Sequence, residues 1–81
     1  MILVDIQVPS LDRTYDFELD ETIAVKRLTE SIAEIISEKE QAEYSPEENR
    51  YLFALGKGQL LNRDFSLAEQ EVGNGEKLIL F

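Results

Sequence analysis

The sequence predicts an α+β fold in which a four- to five-stranded mixed sheet is covered by one main helix. Three observations carry this. Two segments near the N-terminus alternate apolar and polar residues with a period of two. A middle segment repeats apolar residues at spacings of three and four. Three further short apolar runs, separated by turn-forming residues, lead to the C-terminus. The 81 residues are enough for a single domain, residues 1–81, and too few for two.

The elements follow in order. Ile2, Val4, Ile6 and Val8 share one face of a first strand, with Asp5 and Gln7 on the other. Residues 9–13 have turn composition, and Tyr15, Phe17 and Leu19 then alternate with Thr14, Asp16 and Glu18. Two alternating strands joined by about five residues read as an antiparallel hairpin. The period changes at Thr22, which suits an N-cap with Asp20 and Glu21 at the positive end of the helix dipole. Val25, Leu28, Ile32, Ile35 and Ile36 form one apolar stripe on a helix of roughly fifteen residues. It is expected to fade between Glu38 and Gln41, and the aperiodic acidic residues 38–43 read as a connection. Ser45-Pro46-Glu47-Glu48 has capping-box spacing with proline at the first helical position, which predicts one helical turn. Arg50 to Leu55 is a third strand, Gln59 to Leu61 a short fourth, and Ser66 to Gln70 a short helical turn. Gly73-Asn74-Gly75 marks a turn before the last strand, Glu76 to Phe81.

One amphipathic helix and one sheet each have a single apolar face to bury, so they bury them against each other. The first and last strands are rich in β-branched residues and Leu and suit the sheet centre, linked through the helical crossover. This is the β-grasp arrangement.

Composition excludes much chemistry. The chain has no cysteine, hence no disulfide, zinc–thiolate site or thiol nucleophile. It has no histidine, the commonest general base and metal ligand. No cofactor is expected. The apolar runs fall short of the roughly 18 residues of a membrane span, and the N-terminus lacks the pattern of a signal peptide. A cytoplasmic location without direct membrane insertion is the expectation. The net charge of −9 argues against nucleic acid and anionic lipid, and it would draw a basic protein partner.

The stretch Tyr44-Ser45-Pro46-Glu47-Glu48-Asn49-Arg50-Tyr51-Leu52-Phe53-Ala54 resembles ubiquitin from its proline turn into its third strand. Leu60-Leu61 and the spacing of Leu67, Val72, Leu78 and Leu80 continue the match. Ubiquitin, its conjugated relatives and the sulfur carriers of this fold end in a mobile diglycine tail. Here no glycine follows Gly75 and the chain stops at Phe81, inside the last strand. A modifier or sulfur carrier is expected only if a tail is missing. Val25-Lys26-Arg27 and Asn74-Gly75-Glu76-Lys77-Leu78 are similar to the YukD-like family of bacterial ubiquitin-fold proteins, which accompanies type VII (WXG100 or ESX-like) secretion. That resemblance implies a small cytoplasmic accessory protein, and the missing tail a non-conjugating one. Its partner would be a cytoplasmic part of the secretion machinery. A generic ubiquitin-like interaction domain of another pathway is the alternative.

Catalysis has little to stand on. Asp12, Asp64 and Glu76 lie near turns, with no nucleophile or base beside them, and no run has calcium-loop spacing. Gly56-Lys57-Gly58 is a turn, too short for a phosphate loop. The sharper signal is apolar residues on the outer face of the sheet. If Tyr51 and Phe53 face the core, Leu52 faces out; if Leu78 and Leu80 face the core, Ile79 and Phe81 face out. Leu11 sits at the first hairpin tip. By position Leu11, Leu52, Ile79 and Phe81 match the patch through which ubiquitin binds partners, and such a cluster usually marks an interface. A homo-oligomer contact, or surface apolar residues of no specific role, are the competing accounts. Glu40, Glu43, Glu47 and Glu48 form a secondary acidic contact candidate.

Overall fold

A computed structural model describes residues 1–40 and 50–81. Five strands form one mixed sheet: β1 Ile2–Val8, β2 Arg13–Leu19, β3 Leu52–Ala54, β4 Gln59–Leu60 and β5 Lys77–Leu80. They are ordered β2-β1-β5-β3-β4, and the helix α1 spans Val25–Glu40. β1 and β5 are parallel neighbours in the centre, and the other pairings are antiparallel. The expected fold class holds.

The first hairpin forms as the alternation predicts, from Ile2 opposite Leu19 to Val8 opposite Arg13. Its turn is a 3-10 segment, Pro9–Leu11, closed by Asp12 in the left-handed region at φ 51°. Aspartate tolerates that conformation better than a branched residue would. At the opposite end of β1, the Gly73–Gly75 turn is tied to the first strand. Gly75, at φ 82°, donates its N–H to the Leu3 carbonyl at 2.8 Å, and Asn74 Oδ1 accepts from the Leu3 N–H at 2.9 Å.

The helix starts later than its capping pattern suggests. Thr22 does not cap it. The Thr22 N–H and hydroxyl both donate to Asp20 Oδ1, at 2.9 and 2.6 Å, a closed local turn that precedes the helix. The first helical amides find partners in the distant 63–65 loop instead. Val25 N–H donates to the Phe65 carbonyl at 2.9 Å and Lys26 N–H to the Arg63 carbonyl at 3.0 Å. Free N–H groups at a helix start need acceptors, and tertiary structure supplies them here. That loop is held by a capping box the sequence reading did not identify. Ser66 N–H donates to Glu69 Oε1 at 2.9 Å and Glu69 N–H to Ser66 Oγ at 3.1 Å, ahead of the 3-10 turn Ala68–Gln70.

The helix also ends later. Residues 38–40, read as connection, are helical, because Glu40 is fastened to the second strand. Tyr15 donates its hydroxyl to Glu40 Oε1 at 2.6 Å, Arg13 lies 3.9 Å from the same oxygen, and the Lys39 ammonium sits over the Tyr15 ring. The expected turn at Ser45–Glu48 lies outside the described residues.

The core fills the space between α1 and one sheet face. Val4, Ile6, Phe17, Leu52, Leu78 and Leu80 meet Val25, Leu28, Ile32, Ala33 and Ile36, while Leu61, Leu67 and Val72 close the ends. Ile35, assigned to the stripe, is 47% exposed. At about 100° per residue it lies roughly 80° from Val25, on the flank of the buried face. Thr29 is buried in its place on the stripe and donates its hydroxyl to the Lys26 carbonyl.

Candidate functional site

The strand registers sort the sheet residues onto two faces. On the side away from α1, β1 presents Leu3, Asp5 and Gln7, β2 presents Thr14, Asp16 and Glu18, and β5 presents Lys77 and Ile79, with Phe81 just beyond. β3 presents Phe53, with Tyr51 immediately before it. The register then gives one row across four strands: Gln7 beside Ile79, Ile79 beside Phe53, Phe53 beside Leu60. Tyr51 and Phe81 pair just past the end of this row. They exchange backbone hydrogen bonds of 2.7 and 3.0 Å, and their rings lie 6.3 Å apart. The Arg63 guanidinium lies 5.5 Å from the Tyr51 ring centre, in cation–π range, and its Nε has no hydrogen-bond partner among the described residues.

Leu52 does not belong to this surface, which corrects the expected patch. It is fully buried and pairs with Leu80 on the helix side, whereas Phe53 pairs with Ile79 outside. The expectation followed from taking Tyr51 and Phe53 as facing the core. The opposite parity holds, and a shift of one residue exchanges every side chain between faces. Both alternations of this strand are apolar, Leu52 and Ala54 on one side and Tyr51 and Phe53 on the other. Parity was therefore not legible in the strand itself. Ile79 is half-buried on the outer face and Phe81 is 55% exposed, as expected. Leu11 stays at the hairpin tip but is half-buried against the core. The residues that sequence reasoning missed are Tyr51, Phe53 and Leu60, the last 48% exposed.

The outer face has two unlike halves. Over β5, β3 and β4 it is apolar and aromatic. Over β1 and β2 it is polar apart from Leu3, which is exposed opposite Glu18, and Asp5 stands directly opposite Asp16. A hydrogen bond to the Asp5 carboxylate, reinforced by its charge, raises the Asp16 carboxyl above its ordinary value. Glu18 adds a third carboxylate to this half, and Lys77 is the neighbour of Asp5 on the other side. Of the other exposed apolar residues, Leu3 lies on this face at the far end of β1, while Ile35 lies on α1.

The secondary acidic contact is only partly placed. Glu40 is engaged by Tyr15 and Arg13. Glu43, Glu47 and Glu48 lie outside the described residues. The three turn carboxylates stay on three separate turns: Asp12 at the first hairpin tip, Asp64 beside Lys26 at 3.5 Å, and Glu76 accepting the Gly73 N–H at 2.8 Å. Among the described residues no group of three or more His, Cys, Asp or Glu could hold a metal ion, and no helix is long and apolar enough to cross a membrane.

The family model described as "WXG100 protein secretion system (Wss), protein YukD" matches residues 3–80. Among solved structures, the chain is similar to the EccD5 ubiquitin-like domain from Mycobacterium xenopi. The TM-score is 0.75 at 22% identity, over 99% of this chain and 91% of that one. A ubiquitin-like domain from Arabidopsis thaliana superposes with a TM-score of 0.73 at 23% identity, over 99% of this chain and 74% of that one. The N-terminal ubiquitin-like domain in the 4931431F19Rik protein gives 0.68 at 19% identity, over 99% and 72%. At these identities the structural likenesses establish a ubiquitin-like fold and nothing finer. No curated protein matches the chain in sequence.

Proposed function

The chain belongs to the YukD family of the WXG100 protein secretion system, and from that membership and the outer face of its sheet we propose a non-enzymatic adaptor that docks a secretion-system protein. It acts on the cytoplasmic side and works by binding, without a cofactor. The observation that carries this reading is the apolar row of Ile79, Phe53 and Leu60 with Tyr51 and Phe81 beside it. In a sheet covered by one helix the free face is ordinarily polar, as it is over β1 and β2 here apart from Leu3. Covering these side chains on association would contribute on the order of 1 kcal/mol each.

The test is binding of the purified protein to cytoplasmic portions of WXG100 secretion components. Phe53→Asp and Phe81→Asp should abolish binding while leaving the circular dichroism spectrum unchanged. Unaltered binding by both folded variants would remove the docking role from this face.

A further inference from the structure

The geometry of the outer face restricts what can dock there. β5 and β3 are interior strands, bonded on both sides, so a partner cannot join the sheet beside them as a strand. It must bind through side chains. An extended segment laid over Phe53, Ile79 and Phe81 would press its own peptide groups onto surfaces offering few hydrogen bonds, and unpaired buried peptide groups are costly. A helix bonds its backbone internally and presents only side chains. The apolar area also spans β5, β3 and β4, about 10 Å at the usual strand spacing, which is the length of about two helical turns.

Charge then fixes the orientation of that helix. Beside the apolar half lie Asp5, Asp16 and Glu18, whose only cationic neighbour on the same face of β1, β2 and β5 is Lys77, among the described residues. We infer that the outer face takes a basic amphipathic helix, its apolar residues over Phe53, Ile79 and Phe81 and its lysine or arginine residues over Asp5 and Asp16. This rests on the docking role proposed above and adds the chemistry of the partner.

The sheet order supplies a spacing. From the midline between β5 and β3 to the midline between β1 and β2 is two strand spacings, about 10 Å. Along a helix that distance is about seven residues, two turns, which returns to the same helix face. Apolar anchors at positions i and i+4 therefore go with basic residues at i+7 and i+11. The helix lies across the strands.

Synthetic alanine-rich helical peptides test this against the nitrogen-15-labelled protein. One peptide carries leucines at i and i+4 and lysines at i+7 and i+11. A second has glutamates in place of the lysines. A third keeps the leucines but moves the lysines to i+5 and i+9, on the other face. The first should perturb the amides of Phe53, Ile79 and Phe81 together with those of Asp5 and Asp16. It should bind about fivefold more tightly than either control, the scale of two exposed ion pairs. The Asp5→Asn/Asp16→Asn double variant should erase that advantage. Equal binding of all three peptides at Phe53, Ile79 and Phe81 would overturn the basic-helix inference and leave the docking role standing. Perturbations confined to Glu30, Glu34 and Glu38 on α1 would overturn the inference, and the Phe53→Asp test above would then decide the docking role by itself. Shifts of the same outer-face amides with protein concentration alone would show a second copy as the occupant, which also overturns it.

Discussion

Leu52 and Phe53 are consecutive residues of one three-residue strand, and they have opposite fates. Leu52 is buried opposite Leu80 beneath the helix; Phe53 stands opposite Ile79 on the far side of the sheet. Both pairs are apolar and come from the same two strands. Only one belongs to the core. Composition alone therefore does not distinguish a residue that holds this fold together from one that is available to a partner, and the strand register does.

The largest expected effect tests that separation directly. Leu52→Ala should cost about 2–5 kcal/mol, because it removes a fully buried side chain and leaves a cavity between sheet and helix. Phe53→Ala should cost less, about 1–2 kcal/mol, since Phe53 is only half-buried. Urea unfolding of the two variants measures both. Similar losses would mean that the outer aromatic row is part of the stability of the domain.

How much of this could be read beforehand follows from the same contrast. β1 and β2 were legible, as a hairpin and in facing, because Asp5 and Gln7 on one strand and Thr14, Asp16 and Glu18 on the other mark the outward alternation. β5 was legible as well: Leu78 and Leu80 inside, Ile79 and Phe81 outside. β3 was legible as a strand but not in its facing, since both of its sides are apolar. With it went half of the candidate site, Leu52 being wrongly included and Phe53 and Tyr51 assigned to the core. The helix stripe was legible at Val25, Leu28, Ile32 and Ile36. Its start was not, because the acceptors for its first amides are the carbonyls of Arg63 and Phe65, some forty residues away in the chain. A local capping pattern at Thr22 was visible in the sequence, but the structure uses it to close a turn with Asp20.

That dependence on a distant loop gives the next prediction. Ser66→Ala breaks the reciprocal pair with Glu69 and should cost about 1 kcal/mol, as for a lost helix cap. The loss should also be felt in α1. Amide exchange at Val25 and Lys26 should quicken more than exchange at Ile32 or Ile36 in the middle of the helix. Uniform acceleration along α1 would show that the loop contributes only to global stability. Tyr15→Phe is expected to cost slightly less, about 0.5–1 kcal/mol, by removing the hydroxyl that Glu40 accepts. Its exchange signature should be confined to the opposite end of the helix, at Lys39 and Glu40.

The smallest effect separates the two halves of the outer face. Asp16 has its carboxyl raised by Asp5, so its contribution favours the folded state fully below the unfolded value near 3.8 and is lost as pH rises through the higher folded value. Asp20, Glu21 and Glu69 are lowered instead, by hydrogen bonds from Thr22, from the terminal ammonium and from Ser66 respectively. Their contribution is present above their unfolded values and lost as pH falls through the folded ones. Asp16→Asn removes the opposing group and its repulsion with Asp5. The variant should melt above the wild type at pH 7, and the difference should shrink towards zero as pH falls below about 4, where Asp16 is protonated in both states. Thermal melts of the two proteins from pH 7 to pH 3 measure this. A difference that does not change with pH would mean that Asp5 and Asp16 do not feel each other, and the acidic half of the face would then lose the carboxylate pair that distinguishes it from the apolar half.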